Sequence, residues 1–298
     1  MRIRSGRYPR RVAVNVFISG VAGFIGSHLA DAFLVRGDRV VGNDNLIGGD
    51  WKNVHPDVEF HVVDCNDLKK LAPLLHGIDV VYHCAATAHV GLSVFSPHAN
   101  AMNGIAASAA MMSAACAARV RRFVFLSSAD RYGGHVPPFV ESMTPAPLDP
   151  YGIGKVAVEN ILLVLGQAHG MEWTIAVPHA VTGPRQRFVD PYRNVVGIMT
   201  NRMLQGRQPV IYGDGEQRRS FTFVSDCVDP LVRMAKDRAA VGEVFNIGPD
   251  DESVTINDLA RCIAKILNFD LRPIRVPSRP LEVRDVNCSA DKVRRVLG

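Results

Sequence analysis

The chain reads as an α/β protein: a doubly wound parallel sheet followed by a smaller mixed α/β region. Three observations predict it. Short β-branched runs alternate with longer amphipathic stretches from Val12 to Val177, the first run enters Gly20-Val21-Ala22-Gly23-Phe24-Ile25-Gly26, and the second ends on Asn43-Asp44-Asn45. The alternation is that of strands buried between helices on both sheet faces. A glycine-rich strand-to-helix turn followed by an acid at the next strand end is the arrangement that cradles a dinucleotide in a Rossmann-type sheet.

Taken in order, strands are expected at Val12 to Ser19, Arg39 to Asn43, Val58 to Val63, Val80 to His83, Arg122 to Ser127 and Trp173 to Val177. Between them the spacing predicts helices at Phe24 to Arg36, Leu68 to Leu75, Pro97 to Ala118 and Pro150 to Ala168. After Pro178 the regularity gives way to turns at Gly183-Pro184, Asp190-Pro191 and Gly213-Asp214-Gly215. We therefore divide the chain into a basic tail at 1–11, a dinucleotide-binding region at 12–177 and a mainly substrate-binding region at 178–298. In the last, a helix is expected near Val195 to Gln205, a strand at Pro209 to Tyr212, and helices at Ile256 to Leu267 and Ala290 to Leu297. Segments near 221–247, among them Cys227 to Asp237 and Val244 to Ile247, are expected to pack back onto the sheet.

Composition narrows the class. With 298 residues, 47% of them hydrophobic, the chain can bury a substantial core. Its apolar runs are strand-sized or interrupted, and the Arg-rich start lacks the apolar stretch and cleavage site of a secretory leader. We expect a cytoplasmic protein without a membrane span. The cysteines, at 65, 84, 116, 227, 262 and 288, are scattered without metal-ligand spacing, so neither disulfides nor a metal site is expected. The formal charge of +5 owes much to Arg2, Arg4, Arg7, Arg10 and Arg11 in the tail, and no basic stretch is interleaved with aromatics. Nucleic acid is therefore not the expected partner.

The glycine loop has the spacing Gly-x-x-Gly-x-x-Gly, with Phe24 and Ile25 opening the helix. Glycines at 20, 23 and 26 permit the tight turn and the close approach of backbone to a pyrophosphate, while the helix N-terminus favours its charge. Asp44 can accept hydrogen bonds from a ribose diol and would repel a 2′-phosphate, so NAD is preferred to NADP. Asn45 adjoins it. Asp64 and Cys65 follow the third strand, beside the expected adenine; Asp64 alternatively shares a helix N-cap with Asp67. In His83-Cys84-Ala85-Ala86 the small residues, Ala85 in particular, let a cofactor lie against backbone; His83 reads as a core histidine.

In Asp149-Pro150-Tyr151-Gly152-Ile153-Gly154-Lys155 a phenol and an ammonium stand four residues apart where a helix begins. At that spacing they share a helix face, and the cation can favour the phenolate of Tyr151, a candidate base for oxidising an alcohol. A solvated helix face is the other reading of the same spacing.

Together these residues resemble the extended short-chain dehydrogenase/reductase family, especially its NAD-dependent sugar-nucleotide epimerases and dehydratases. The likeness runs from Val12 to the last residues. Besides the glycine loop, Asp44 and the Tyr-x-x-x-Lys segment, it rests on Leu126-Ser127-Ser128-Ala129-Asp130-Arg131-Tyr132-Gly133, Gly183-Pro184-Arg185-Gln186, Gly213 to Arg219, Phe245-Asn246-Ile247-Gly248 and Arg279 to Arg284. The resemblance implies Ser128, Tyr151 and Lys155 as catalytic residues. Tyr151 would take the proton of a sugar hydroxyl, Ser128 would hold the reacting oxygen, and Lys155 would hold the nicotinamide ribose. It implies NAD contacts that include Pro178, and a nucleoside-diphosphate sugar held by Arg219, Arg284, Tyr212 and the segment around Ala180, with Phe188 near the base. A homodimer through the helices that begin at Pro97 and Lys155 is also implied.

Departures cluster around the substrate. Where relatives commonly read Arg-x-x-Asn-Val-Tyr-Gly-Pro, this chain has Val177-Pro178-His179-Ala180-Val181-Thr182-Gly183-Pro184, so one polar anchor is replaced by Ala180; Ser220 stands where an Asp is common. Ala129 disfavours a 4,6-dehydratase, whereas Asp130, one methylene shorter than the Glu of lyase relatives, is either a loop ion pair with Arg131 or an acid or base beside C5. The first expectation is an epimerase acting at C4 through a transient 4-keto sugar. A dehydratase or decarboxylase using Asp130, a reductase that exchanges its cofactor, and a non-catalytic NAD-binding module remain as alternatives.

Overall fold

The computed structural model describes residues 13–192, 194–249, 253–278 and 283–298. The tail at 1–11, Val12 and the Arg279-Pro280-Leu281-Glu282 part of the last signature lie outside them.

Six strands arise where the β-branched runs predict them: β1 (Asn15–Ser19), β2 (Arg39–Asp44), β3 (Glu59–Val62), β4 (Val80–His83), β5 (Arg122–Leu126) and β6 (Glu172–Pro178). They pair in parallel, and Glu243–Ile247 joins them beside β6. The sheet runs Glu243–Ile247, β6, β5, β4, β1, β2, β3, so the chain winds outward from β1 in one direction and then in the other. The gap above the carboxyl ends of β1 and β4 is the switch point at which such sheets bind ligands.

Both sheet faces are covered, which is why the strands read as continuous apolar runs. Val16 and Ile18 meet Leu29 and Phe33 of helix α1 (Phe24–Val35), together with Leu231 of the helix Val224–Met234. Phe17, Val81 and Phe125 face Met111, Val158 and Leu162 on the other side. A separate core gathers Met199, Met203, Ile211, Ile256 and Ile263 from the helices Val195–Leu204 and Ile256–Leu267 and the strand Val210–Tyr212. Among the described residues no helix is long and apolar enough to cross a membrane.

Two helices differ from expectation for local reasons. The stretch from Leu68 is α-helical to Leu71 and then 3-10 over Ala72–Leu75, because Pro73 has no N–H to continue the ladder. The long helix from Pro97 comprises Pro97–Ala101, a π turn at Met102–Ala106 and Ala107–Ala117. Such a wide turn inside a helix re-aims side chains and recurs at functional sites. A short helix, Val90–Phe95, escapes the sequence pattern because its few apolar residues flank Gly91 and Ser93 without a sustained period.

Candidate active site

The glycine loop is shaped by close backbone approach. Gly20, at φ +72°, lies so near the end of β4 that a Cβ there would stand 2.9 Å from Ala85 Cα and N. At Gly26 a Cβ would fall 2.2 Å from the Gly20 carbonyl oxygen, so only glycine lets α1 start this close to β1. Gly23 is the N-cap and makes no side-chain capping bond, leaving the first N–H groups of α1 to an anion. Asp44, 7% exposed, accepts from Ala22 N at 3.2 Å and Leu46 N at 2.8 Å, which ties the end of β2 to the loop.

Beyond the loop opens a trough in two compartments. The larger, about 740 Å³, is lined by Gly20, Asp44, Asn45, Asp64, Cys65 and Ala85, among others. Asn45 Nδ2 donates to Asp64 at 2.7 Å. Although burial raises the Asp64 pKa, hydrogen bonds from Asn45 and Asn66 prevail and hold it below the ordinary carboxylate value. The helix cap next to it comes from Asp67, whose side chain accepts from Lys70 N. An acid at the end of β2, an amide-held acid after β3, small residues after β4 and a backbone cradle closed to any Cβ fit a dinucleotide.

The smaller compartment, about 300 Å³, continues past Ala85, Ala86 and Thr87 to Tyr151 and Lys155. Asp149 caps the helix Pro150–His169 by accepting from Gly152 N at 2.9 Å, and this fixes both residues on one face. Lys155 Nζ donates to Leu126 O at 2.7 Å and lies 5.7 Å from the centre of the Tyr151 ring. Burial pushes its pKa down to about 8, against the opposing pull of Cys84, Glu159 and Asp130. Ser128 caps the 3-10 turn Ala129–Arg131, and its hydroxyl donates to Asp130 Oδ2 at 2.6 Å.

Asp130 and Arg131 do not pair with each other. Arg131 turns inward, donating from Nη2 and Nε to Glu159 at 3.0 and 3.2 Å, with both side chains 6% exposed. Asp130 turns to Ser128. Burial foremost, and then the charge of Asp149, raise its pKa, while the Ser128 hydrogen bond and the charge of Arg219 oppose the rise. His83 is a core histidine: Ser108 donates to Gly104 O, so His83 Nε2 donates to Ser108, and its Nδ1 accepts from Ser19. Burial drives its pKa to about 3, which keeps it neutral.

Other expected residues lie apart from the trough lining. Phe24 and Ile25 pack against the core, and Pro178 ends β6 opposite Ile247. Arg219 donates to the carbonyls of Arg218, Val283 and Arg284 at 2.7 to 2.9 Å. Arg284 pairs with Asp214 at 3.0 Å on the surface and directly precedes the strand Asp285–Val286, which pairs with Arg218–Arg219. Tyr212 is half-buried, its carbonyl accepting from Gln217, and Phe188 is 48% exposed near Gly197. Ala180 takes a φ of +38°, a region where asparagine is at ease and alanine is not. The sequence reading missed Asn100 and Asn103 on the π-turn helix, and Thr87, His89 and Asp190, all of which line the trough. The Asn-x-x-Asn spacing, which puts two amides on one helix face, was the available signal for the first two.

A family model described as NAD dependent epimerase/dehydratase family matches the chain over residues 16–248. The chain belongs to that family. A UDP-glucose 4-epimerase of Mycolicibacterium smegmatis is 34% identical over 96% of this chain and 93% of its own length. A UDP-N-acetyl-alpha-D-glucosaminuronate decarboxylase of Bacillus cytotoxicus is 32% identical over 87% of this chain and 82% of its own. Among solved structures, UDP-glucose 4-epimerase with UDP-glucose from Thermotoga maritima superposes with a TM-score of 0.88 at 33% identity, covering 94% of this chain and 91% of that one. As a member of the epimerase/dehydratase family, the chain is an NAD-dependent enzyme with a parallel Rossmann-like sheet.

Proposed function

We propose that the protein epimerises a nucleoside-diphosphate sugar at C4. The observation that carries this reading is the buried Lys155, held on one helix face with Tyr151 in a compartment continuous with the glycine-loop cleft. Bound in that cleft, NAD would supply reversible hydride acceptance, the chemistry that inversion at C4 through a 4-keto sugar requires. Tyr151 takes the C4 hydroxyl proton on oxidation and gives it back on reduction. Lys155, cationic below about pH 8, favours the phenolate, which acts as the base. Ser128 hydrogen-bonds the reacting oxygen. Glycines 20, 23 and 26, with Asp44, Asn45, Asp64, Cys65, Ala85, Lys155 and the neighbouring Phe24, Ile25 and Pro178, make up the cofactor site. Arg219 and Arg284 receive the diphosphate, with Tyr212 and Ala180 beside the substrate.

In this reading residues 12–177 form the cofactor unit and 178–298 mainly the substrate unit, with segments of 221–247 returning to the sheet. The enzyme works in the cytoplasm as a homodimer, joined through the exposed apolar faces of the two long helices, where Met102, Ile153, Leu163 and Val164 are exposed. The Ser128–Asp130 hydrogen bond favours a second reading: a lyase in which Asp130, its pKa raised, exchanges a proton at C5 or assists loss of CO₂.

The test is incubation with UDP-, GDP-, CDP- and dTDP-sugars, scored by mass and NMR, for wild type and Tyr151→Phe. Inverted stereochemistry at unchanged mass, absent in Tyr151→Phe, is the expected result. Loss of water or CO₂ would establish the lyase. Turnover unaffected by Tyr151→Phe would overturn the assignment of the base.

A further inference from the structure

We propose that residues 184–192 form a strap across the cofactor trough and that the His89–Asp190 contact latches it, retaining NAD through the catalytic cycle. The segment touches, in succession, three elements on both sides of the switch point. His28 Nε2 of α1 lies 3.0 Å from Pro184 O, and Arg185 pairs with Asp31 of α1 at 2.7 Å. Arg187 Nη1 then donates to Ile47 O, after β2, at 3.0 Å. Finally His89 Nε2, after β4, lies 2.8 Å from Asp190 Oδ2, with the Tyr192 ring edge-on to the imidazole at 6.2 Å.

The last contact differs from the others in burial. Ile47, His89 and Asp190 all line the larger compartment, which Gly20 of the glycine loop lines as well, so the strap forms part of the wall around a dinucleotide bound there. Exposed ion pairs hold little, being screened and entropically costly. The His89 and Asp190 side chains are only 14% exposed, whereas those of Arg185 and Asp31 are 32% and 29% exposed. The latch is therefore the contact that resists opening. Retention follows from the epimerase reading on which this inference rests: the 4-keto sugar must be reduced by the cofactor molecule that oxidised it, so exchange in mid-cycle would strand the intermediate.

The experiment measures release of labelled NAD from the purified, NAD-loaded enzyme into excess unlabelled NAD, with no sugar present, so that it decides the strap whether or not any sugar is epimerised. Asp190→Ala and His89→Ala are each expected to release NAD about tenfold faster, the equivalent of one lost hydrogen bond. The double variant is expected to match the singles, because either change alone opens the same latch. Asp190→Asn, which keeps an acceptor for His89, is expected to release near the wild-type rate. Unchanged release in both alanine variants, verified as folded by circular dichroism, would overturn the proposal. So would multiplicative effects in the double variant, which would mean that each residue holds NAD separately.

Discussion

Replacing Arg131 by methionine tests the buried ion pair that joins the turn Ala129–Arg131 to the helix Pro150–His169. Arg131 gives Glu159 two hydrogen bonds, at 3.0 and 3.2 Å, and a third to the Tyr132 hydroxyl at 3.1 Å, while its guanidinium lies 4.9 Å from the centre of the Tyr132 ring. Methionine fills much of the volume but leaves the Glu159 carboxylate buried. Removing one partner of such a pair costs roughly 3–5 kcal/mol. The Ser127 hydroxyl still donates to Glu159, so the lower end is expected, about 3 kcal/mol. At roughly 2–4 °C per kcal/mol for a domain of this size, the melting temperature falls by about 6–12 °C. The assay is urea and thermal unfolding of wild type, Arg131→Met, Glu159→Gln and the double variant. Because a buried pair can be replaced jointly at little cost, the double variant should be more stable than the sum of the singles by about 2 kcal/mol. A cost below about 1 kcal/mol for Arg131→Met, or additivity within about 0.5 kcal/mol, would refute the reasoning.

Gly26→Ala places a methyl 2.2 Å from the Gly20 carbonyl oxygen, so the loop must move; equilibrium dialysis should show NAD affinity reduced by more than about a hundredfold. Ala180→Asn relieves an alanine at φ +38° and should stabilise the protein by about 0.5–1 kcal/mol in urea titrations; a loss of stability would contradict the strain argument. Lys155, its pKa lowered by burial to about 8, holds its charge only below that pH. The epimerisation rate should therefore fall as pH rises through about 8, whereas a profile flat to pH 10 would show that the cation does not support the base.

What the sequence disclosed was local. Buried parallel strands must be apolar on both faces, so β1, β4 and β5 announce themselves, and the glycine loop and the Tyr151–Lys155 pair carry their spacing within a few residues. Contacts formed by folding carried no such mark. His89 and Asp190 are separated by 101 positions, and nothing near either one predicts the other. Arg131 was misleading because the adjacent Asp130 offered a charge partner. On the 3-10 turn Ala129–Arg131 the two side chains leave in different directions, and Glu159, from a helix that begins at Pro150, takes the guanidinium. The arginines of the C-terminal signatures were identifiable by resemblance, but not the engagement of Arg219 with the carbonyls of Val283 and Arg284.

The strand Glu243–Ile247 has a consequence for how the protein is made. Its place beside β6 means that the sheet is completed by residues that leave the ribosome long after β6 itself. Until then β6 is an open edge with unpaired N–H and C=O groups, a template for pairing between chains. Long-range parallel pairing of this kind is slow to form because the intervening loop must close first. A chain cut after Val177 would keep the glycine loop and the Tyr-Lys pair yet expose that edge permanently, so the half of the molecule that carries both motifs would be the aggregation-prone half if expressed alone.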